Sequence, residues 1–188
     1  MNINRFIYKR RTVLRHKLEK YPKIQRTVTS LYLKYCSLFG SSHVLPDFYI
    51  IGFVKCGTTS LYEYLISHPN VHPPKGKEID YFDRLYSRGI NWYKMGFPLK
   101  FHRFIMTRIF RRIFLTGEAT PRYIENPHAP QRIKQVTPHA KFIILLRNPI
   151  TRAFSQHNMN LKNDYEYRNF EDALNHETER IEGRLQKM

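Results

Sequence analysis

The residues best suited to chemistry fall in two short stretches. The first is IIGFVKCGTTSLYEYL, Ile50 to Leu65, where Lys55, Gly57, Thr58, Thr59 and Ser60 stand between an apolar run and a helix-forming run. A strand, then G-x-x-K-x-G-T-T, then a helix gathers backbone N–H groups and a helix N-terminus about one point, which suits a phosphate or sulfate. Gly57 permits close backbone approach, and the threonine hydroxyls can donate to the anion. The order departs from the nucleoside-triphosphate loop G-x-x-x-x-G-K-[ST]: threonine follows Gly57, and Cys56 follows Lys55 where a magnesium-binding hydroxyl is expected. A tight turn without a ligand is the plainer reading, but two threonines and a lysine there are hard to explain by folding alone. The second stretch is LLRNPITRAFSQHNMN. Arg147 at a strand end and Ser155 on the following helix can converge on another anion, one with a bidentate fork and the other with a hydroxyl. Arg152 on the helix is either a third contact or a solvated surface charge, the latter being the plainer reading.

These residues need a frame, and the chain supplies an alternation of strands and helices. DFYIIG reads as a buried strand and TTSLYEYLISHP as a helix that Pro69 stops. A Pro/Gly-rich turn leads to a short extended segment, Glu78 to Phe82, and RRIFLTGEATP gives a strand ending at Gly117. AKFIILLRNP is a continuous apolar run of the kind buried on both faces of a sheet. Helices follow in ITRAFSQHNMNLKN and in NFEDALNHETERIEG, the latter opening on Asn169 as N-cap. Strands alternating with helices argue for a parallel sheet with ligands at the strands' carboxyl ends, where both stretches lie.

The 188 residues are 41% hydrophobic and 14% aromatic, enough for one domain with a real core. The formal charge of +17 predicts anionic partners, and about half of the excess sits in Met1 to Pro46, which holds ten basic residues against Glu19. Residues 1–45 read as a basic helical extension closed by a GSSHVLP linker, and residues 46–188 as the main domain. Thr27 to Phe39 is apolar enough to pack on the domain or to lie on a membrane surface, packing being the plainer reading. No apolar run is long enough to span a bilayer, and Cys36 and Cys56 are expected as reduced thiols in a cytoplasmic setting, with peripheral contact to anionic membrane through the basic N-terminus.

With both stretches in view, the chain resembles the sulfotransferase family. IIGFVKCGTTSLYEYLISHP is similar to that family's 5'-phosphosulfate-binding loop, and ILLRNPITRAFSQH to its 3'-phosphate-binding strand and helix. KGKEIDYFD and GEATPRY resemble segments of the carbohydrate-type members, the heparan sulfate sulfotransferases and their microbial relatives. The likeness covers roughly residues 46–160. It implies an α/β, three-layer P-loop-like fold with a central parallel sheet flanked by helices, C-terminally truncated because the family's domain continues after the helix bearing Ser155.

It also implies a donor, 3'-phosphoadenosine 5'-phosphosulfate, and no metal. Lys55 would contact the oxygen bridging phosphate and sulfuryl group; Gly57, Thr58, Thr59 and Ser60 would bind the 5'-phosphate, and Arg147 and Ser155 the 3'-phosphate. Glu78 falls where glycan sulfotransferases place a catalytic glutamate, and a carboxylate near Lys55 can take the acceptor hydroxyl's proton. A surface salt bridge with Lys75 or Lys77 is the plainer reading of Glu78. Asp80, on the same side if the segment is extended, is the fallback base. Glu118 and Arg122 flank the acceptor site, while Ala119 stands where some relatives have lysine. His68 and His72 read as capping or surface residues. The acceptor expected is a hydroxyl on a glycan, glycolipid or small molecule, with no nucleic acid. The competing readings are a P-loop nucleotide kinase and a non-catalytic anion- or nucleic-acid-binding module.

Overall fold

The computed structural model describes residues 22–185. The stretch richest in basic residues, 1–21, lies outside them, so the expectations placed on it are untouched. Helices are α1 (Pro22–Phe39), α2 (Thr58–Ile66), α3 (Ile90–Lys94), α4 (Lys100–Phe104), α5 (Ala129–Val136), α6 (Pro149–Lys162), α7 (Phe170–Asn175) and α8 (Glu177–Leu185). The strands are β1 (Phe48–Gly52), β2 (Gly117–Ala119) and β3 (Lys141–Leu145).

The three strands form one parallel sheet in the order β2-β1-β3. Side chains alternate across a strand, so β1 feeds two cores. Tyr49 joins Phe82, Tyr93, Phe97, Tyr123 and Ile133 on one face, and Phe48 and Ile50 join Tyr62, Val71 and Ala119 on the other. Helices and loops thus pack on both faces of β1, the layered α/β arrangement that the resemblance implies.

The structure corrects four local expectations. Glu78 to Phe82 is not extended: Glu78 and Asp80 have left-handed φ of 57° and 54°, and a turn follows from Tyr81. β2 begins at Gly117 instead of ending there, because that glycine lies against the Phe48 ring, where a Cβ would stand 2.5 Å from ring carbons. β3 is an edge strand, and Phe142, Ile144 and Leu146 are 47%, 54% and 69% exposed; apolar continuity marks a strand but does not say how many layers cover it. GSSHVLP is packed, not a free linker: His43 and Val44 are buried, His43 Nδ1 lies 2.6 Å from Phe97 O, and Val44 N–H donates to Pro98 O at 3.0 Å.

α1 packs through one side only. Cys36 and Gly40 are buried, and Asn91 at the start of α3 donates to Ser37 O at 3.2 Å. Leu31, Tyr35 and Leu38 remain exposed. Among the described residues no helix is long and apolar enough to cross a membrane, and Cys36 and Cys56 are both free thiols.

Candidate functional site

The site begins where β1 runs out. Gly52 has φ 147°, and a Cβ there would stand 2.2 Å from the carbonyl oxygen of Leu145 on β3, so glycine lets β1 and β3 close on each other. The chain then turns through Lys55, whose φ of 70° is unusual for a residue with a side chain, to Gly57 at φ 91°. The first helical bond of α2 runs from Leu61 N–H to Gly57 O at 3.1 Å. The N–H groups of Thr58, Thr59 and Ser60 therefore have no acceptor within the helix and face its open start. A Cβ on Gly57 would meet nothing within 4 Å, so the space above the turn is free. Unspent donors, helix dipole and open space together suit an anion.

The second stretch closes on the first. Asn148 caps α6, its side chain accepting from the N–H groups of Ile150 and Thr151 at 3.0 and 3.3 Å. The capped turn holds Thr151 where Arg147 Nε donates to its hydroxyl at 3.1 Å, and Arg147 Nη1 donates to Lys55 O at 3.1 Å. Arg147 thus ties the β3 end to the β1 loop while keeping N–H groups to spare, since a guanidinium carries five.

A cavity of about 970 Å³ joins the two stretches. Its lining includes Lys55, Gly57, Thr58, Thr59 and Ser60 from the first, Arg147 and Ser155 from the second, and Glu78 and Arg122 between them. Nine of the eleven residues singled out in the sequence therefore share one space, the exceptions being Asp80 and Glu118. Glu78 is held there by its backbone, whose N–H donates to Ala119 O at 3.3 Å from the left-handed conformation.

The salt bridge offered as the plainer reading of Glu78 is also present, with Lys77 Nζ 3.3 Å from Glu78 Oε1. Lys77 also donates to Thr59 Oγ1 at 2.5 Å, so it links the carboxylate to the anion loop. Its role beyond a surface charge was not recognised in the sequence, although KGKEID places it beside Glu78. Arg152 is likewise more than a solvated charge: it lines the cavity and lies over the Phe53 ring at 5.8 Å. Arg180 lines the far wall, paired with Glu166, and nothing in the sequence marked it.

Asp80 and Glu118 need correcting. Asp80 does not line the cavity, and its backbone is left-handed where an extended segment is expected. Burial is the main influence raising its carboxyl, followed by the Asp83 charge. Glu118 does not flank an open acceptor site, because its side chain is fully buried on β2, beside Tyr49 of β1 in the sheet register. Burial pushes its carboxyl up to about 8, partly offset by the neighbouring Tyr123 and Tyr93 hydroxyls. Among the described residues neither carboxyl oxygen meets a partner at good hydrogen-bond geometry. Tyr123 Oη already accepts from Tyr81 N–H at 3.0 Å and Phe82 N–H at 3.4 Å, which leaves its proton for the interior. Glu118 belongs to the buried polar core under the site.

Comparison with known proteins bears on this arrangement. Residues 45–184 match the family model described as a sulfotransferase domain. The chain is 39% identical over 118 residues to the membrane-associated sulfotransferase kil1 of Dictyostelium discoideum, covering 63% of this chain and 24% of that protein. It is 39% identical over 112 residues to heparan sulfate glucosamine 3-O-sulfotransferase 6 of Homo sapiens, covering 60% of this chain and 30% of that one. A crystal structure of a sulfotransferase from Alicyclobacillus acidocaldarius superposes with a TM-score of 0.56 at 32% identity, covering 74% of this chain and 60% of that chain. The match thus spans less than a third of each of these two curated relatives.

Proposed function

Because the chain belongs to the sulfotransferase domain family, we propose that it takes part in transferring a sulfuryl group from 3'-phosphoadenosine 5'-phosphosulfate to a hydroxyl, on a glycan or glycolipid. The observation that carries this reading is the union of both anion-binding stretches and Glu78 in one cavity. The donor fits the residues present: the open cradle over Gly57, with its free N–H groups, suits the 5' end, and the spare N–H groups of Arg147 with the Ser155 hydroxyl suit the 3'-phosphate. The donor supplies a sulfuryl group joined to phosphate through a bridging oxygen.

The chain's own residues then have separable tasks. The N–H groups of Thr58, Thr59 and Ser60 fix the phosphate end, and the Lys55 ammonium neutralises charge gathering on the bridging oxygen as its bond to sulfur breaks. Glu78 accepts the proton of the acceptor hydroxyl as the new oxygen–sulfur bond forms. Lys77, bonded to Thr59 and Glu78, ties the carboxylate to the anion loop. Arg122 on the cavity wall orients an acceptor. The name of the human relative, a heparan sulfate enzyme, favours a glycan acceptor. The two free thiols fit a reducing, cytoplasmic setting, and the basic segment 1–21 suits contact with an anionic membrane.

The test is transfer of sulfur-radiolabelled sulfate from the nucleotide donor to a glycan panel, by the wild-type chain and by Lys55→Ala. Label on a glycan from the wild type, reduced about a hundred-fold or more in the variant, is the expected result. Transfer that ignores Lys55 would contradict the assigned roles.

A further inference from the structure

The surface that transfer does not use is the segment from Lys100 to Ile113. It runs through α4 into a wide π-type turn, Ile105–Ile109, and closes with Phe110 N–H donating to Ile105 O at 3.1 Å and Arg112 N–H to Met106 O at 2.9 Å. One side is anchored. Arg103 pairs with Asp47 at 2.6 Å, the same Asp47 oxygen accepts from Thr116 N–H at 2.8 Å, and Phe114 is buried.

The other side faces outward with two kinds of side chain. Phe101, Phe104, Ile109, Phe110 and Ile113 are 67%, 53%, 63%, 60% and 63% exposed. Lys100, Arg108, Arg111 and Arg112 are exposed among them, and no acidic residue occurs from Leu99 to Leu115. A protein surface seldom leaves so many large apolar side chains open without a partner. Cations alone would suit any polyanion, and apolar side chains alone any oily groove. Interleaved, they match a bilayer interface, with rings entering at the acyl boundary and cations meeting anionic headgroups.

We propose that this face docks on an anionic lipid bilayer. The contact depends on residues outside the cavity, so it stands whether or not the transfer reading holds. It also differs from contact through residues 1–21, because it is built on the folded domain.

Full-length protein is sedimented with phosphatidylcholine vesicles made with and without phosphatidylserine, and assayed for heparin binding and, by light scattering, for mass. The variants are Phe101→Asp with Phe110→Asp, and Arg108→Ala with Arg112→Ala. Their side chains are exposed, so melting temperatures should match the wild type. The wild type is expected to follow phosphatidylserine vesicles, and each pair to lower that partition about ten-fold. Absence of wild-type vesicle binding overturns the proposal, as does binding that survives the phenylalanine pair, which would assign it to residues 1–21. It is equally overturned if the arginine pair abolishes heparin binding while vesicle binding persists, or if the wild type is a dimer that the phenylalanine pair dissociates, making this an interface between copies.

Discussion

At the scale of single residues, Lys55 and Arg147 act as a pair joined by backbone. Arg147 bonds Lys55 O, so Arg147→Ala removes the proposed anion contact and the tie that shapes the loop. Its nucleotide affinity should fall by more than a surface charge would explain, ten-fold or more for a charge-assisted bond. Glu78→Gln keeps the backbone bond to Ala119 O and should keep nucleotide affinity while lowering transfer about a hundred-fold or more. Equal loss of affinity and rate in that variant would assign Glu78 to binding. Glu118 makes a separate prediction about stability. An unfolded glutamate titrates near 4.5 and the folded one near 8, so the folded chain holds a proton that the unfolded chain releases across that interval. Stability from this group is therefore fully present below about 4.5 and declines as pH rises toward 8, at most on the order of 1 kcal/mol per unit. Glu118→Gln, which mimics the neutral acid, should flatten the melting temperature against pH and raise it at pH 8; an unchanged profile would show that Glu118 is ionised in the folded state.

At the scale of elements, the loop depends on two glycines for different reasons. Gly57→Ala strains a φ of 91° in open space and should destabilise by about 1 kcal/mol while loosening the anion cradle. Gly52→Ala drives a Cβ against the Leu145 carbonyl and should destabilise by about 2–3 kcal/mol, forcing β1 from β3. Calorimetric melting of the two variants tests the difference, and equal losses would mean that the close strand approach is not what demands Gly52. The elements carrying both candidate anion-binding stretches were legible in the sequence because their signals are local: an apolar run, a glycine, then a hydroxyl-rich or Asn-Pro helix start. What was not legible depends on neighbours far along the chain. Glu78 is turned left-handed by a bond to Ala119, forty-one positions on. β2 is three residues long, its start fixed by the Phe48 ring, and β3's exposure is decided by which layers reach the sheet edge. Arg180 reaches the cavity from the penultimate turn of α8, where its local sequence looks like an ordinary charged helix.

At the scale of the whole molecule, the charge of +17 does not all serve one site. The cavity wall mixes Lys55, Arg122, Arg147, Arg152 and Arg180 with Glu78, Glu125, Glu166 and Glu177, so the anion binding proposed for it rests on placement more than on net charge. The outward segment from Lys100 to Ile113 is cationic without balancing acids, as the membrane proposal requires. We propose that this one cavity receives a nucleotide with a phosphate at each end, held by the Gly57 turn and by Arg147. The most direct measurement is thermal stabilisation by 3'-phosphoadenosine 5'-phosphate beside ATP with magnesium, in the wild type and in Arg147→Ala. The melting temperature should rise with the bisphosphate and little with ATP and magnesium, and the rise should be lost in the variant; a preference for ATP and magnesium, or stabilisation that persists without Arg147, would rule this binding mode out.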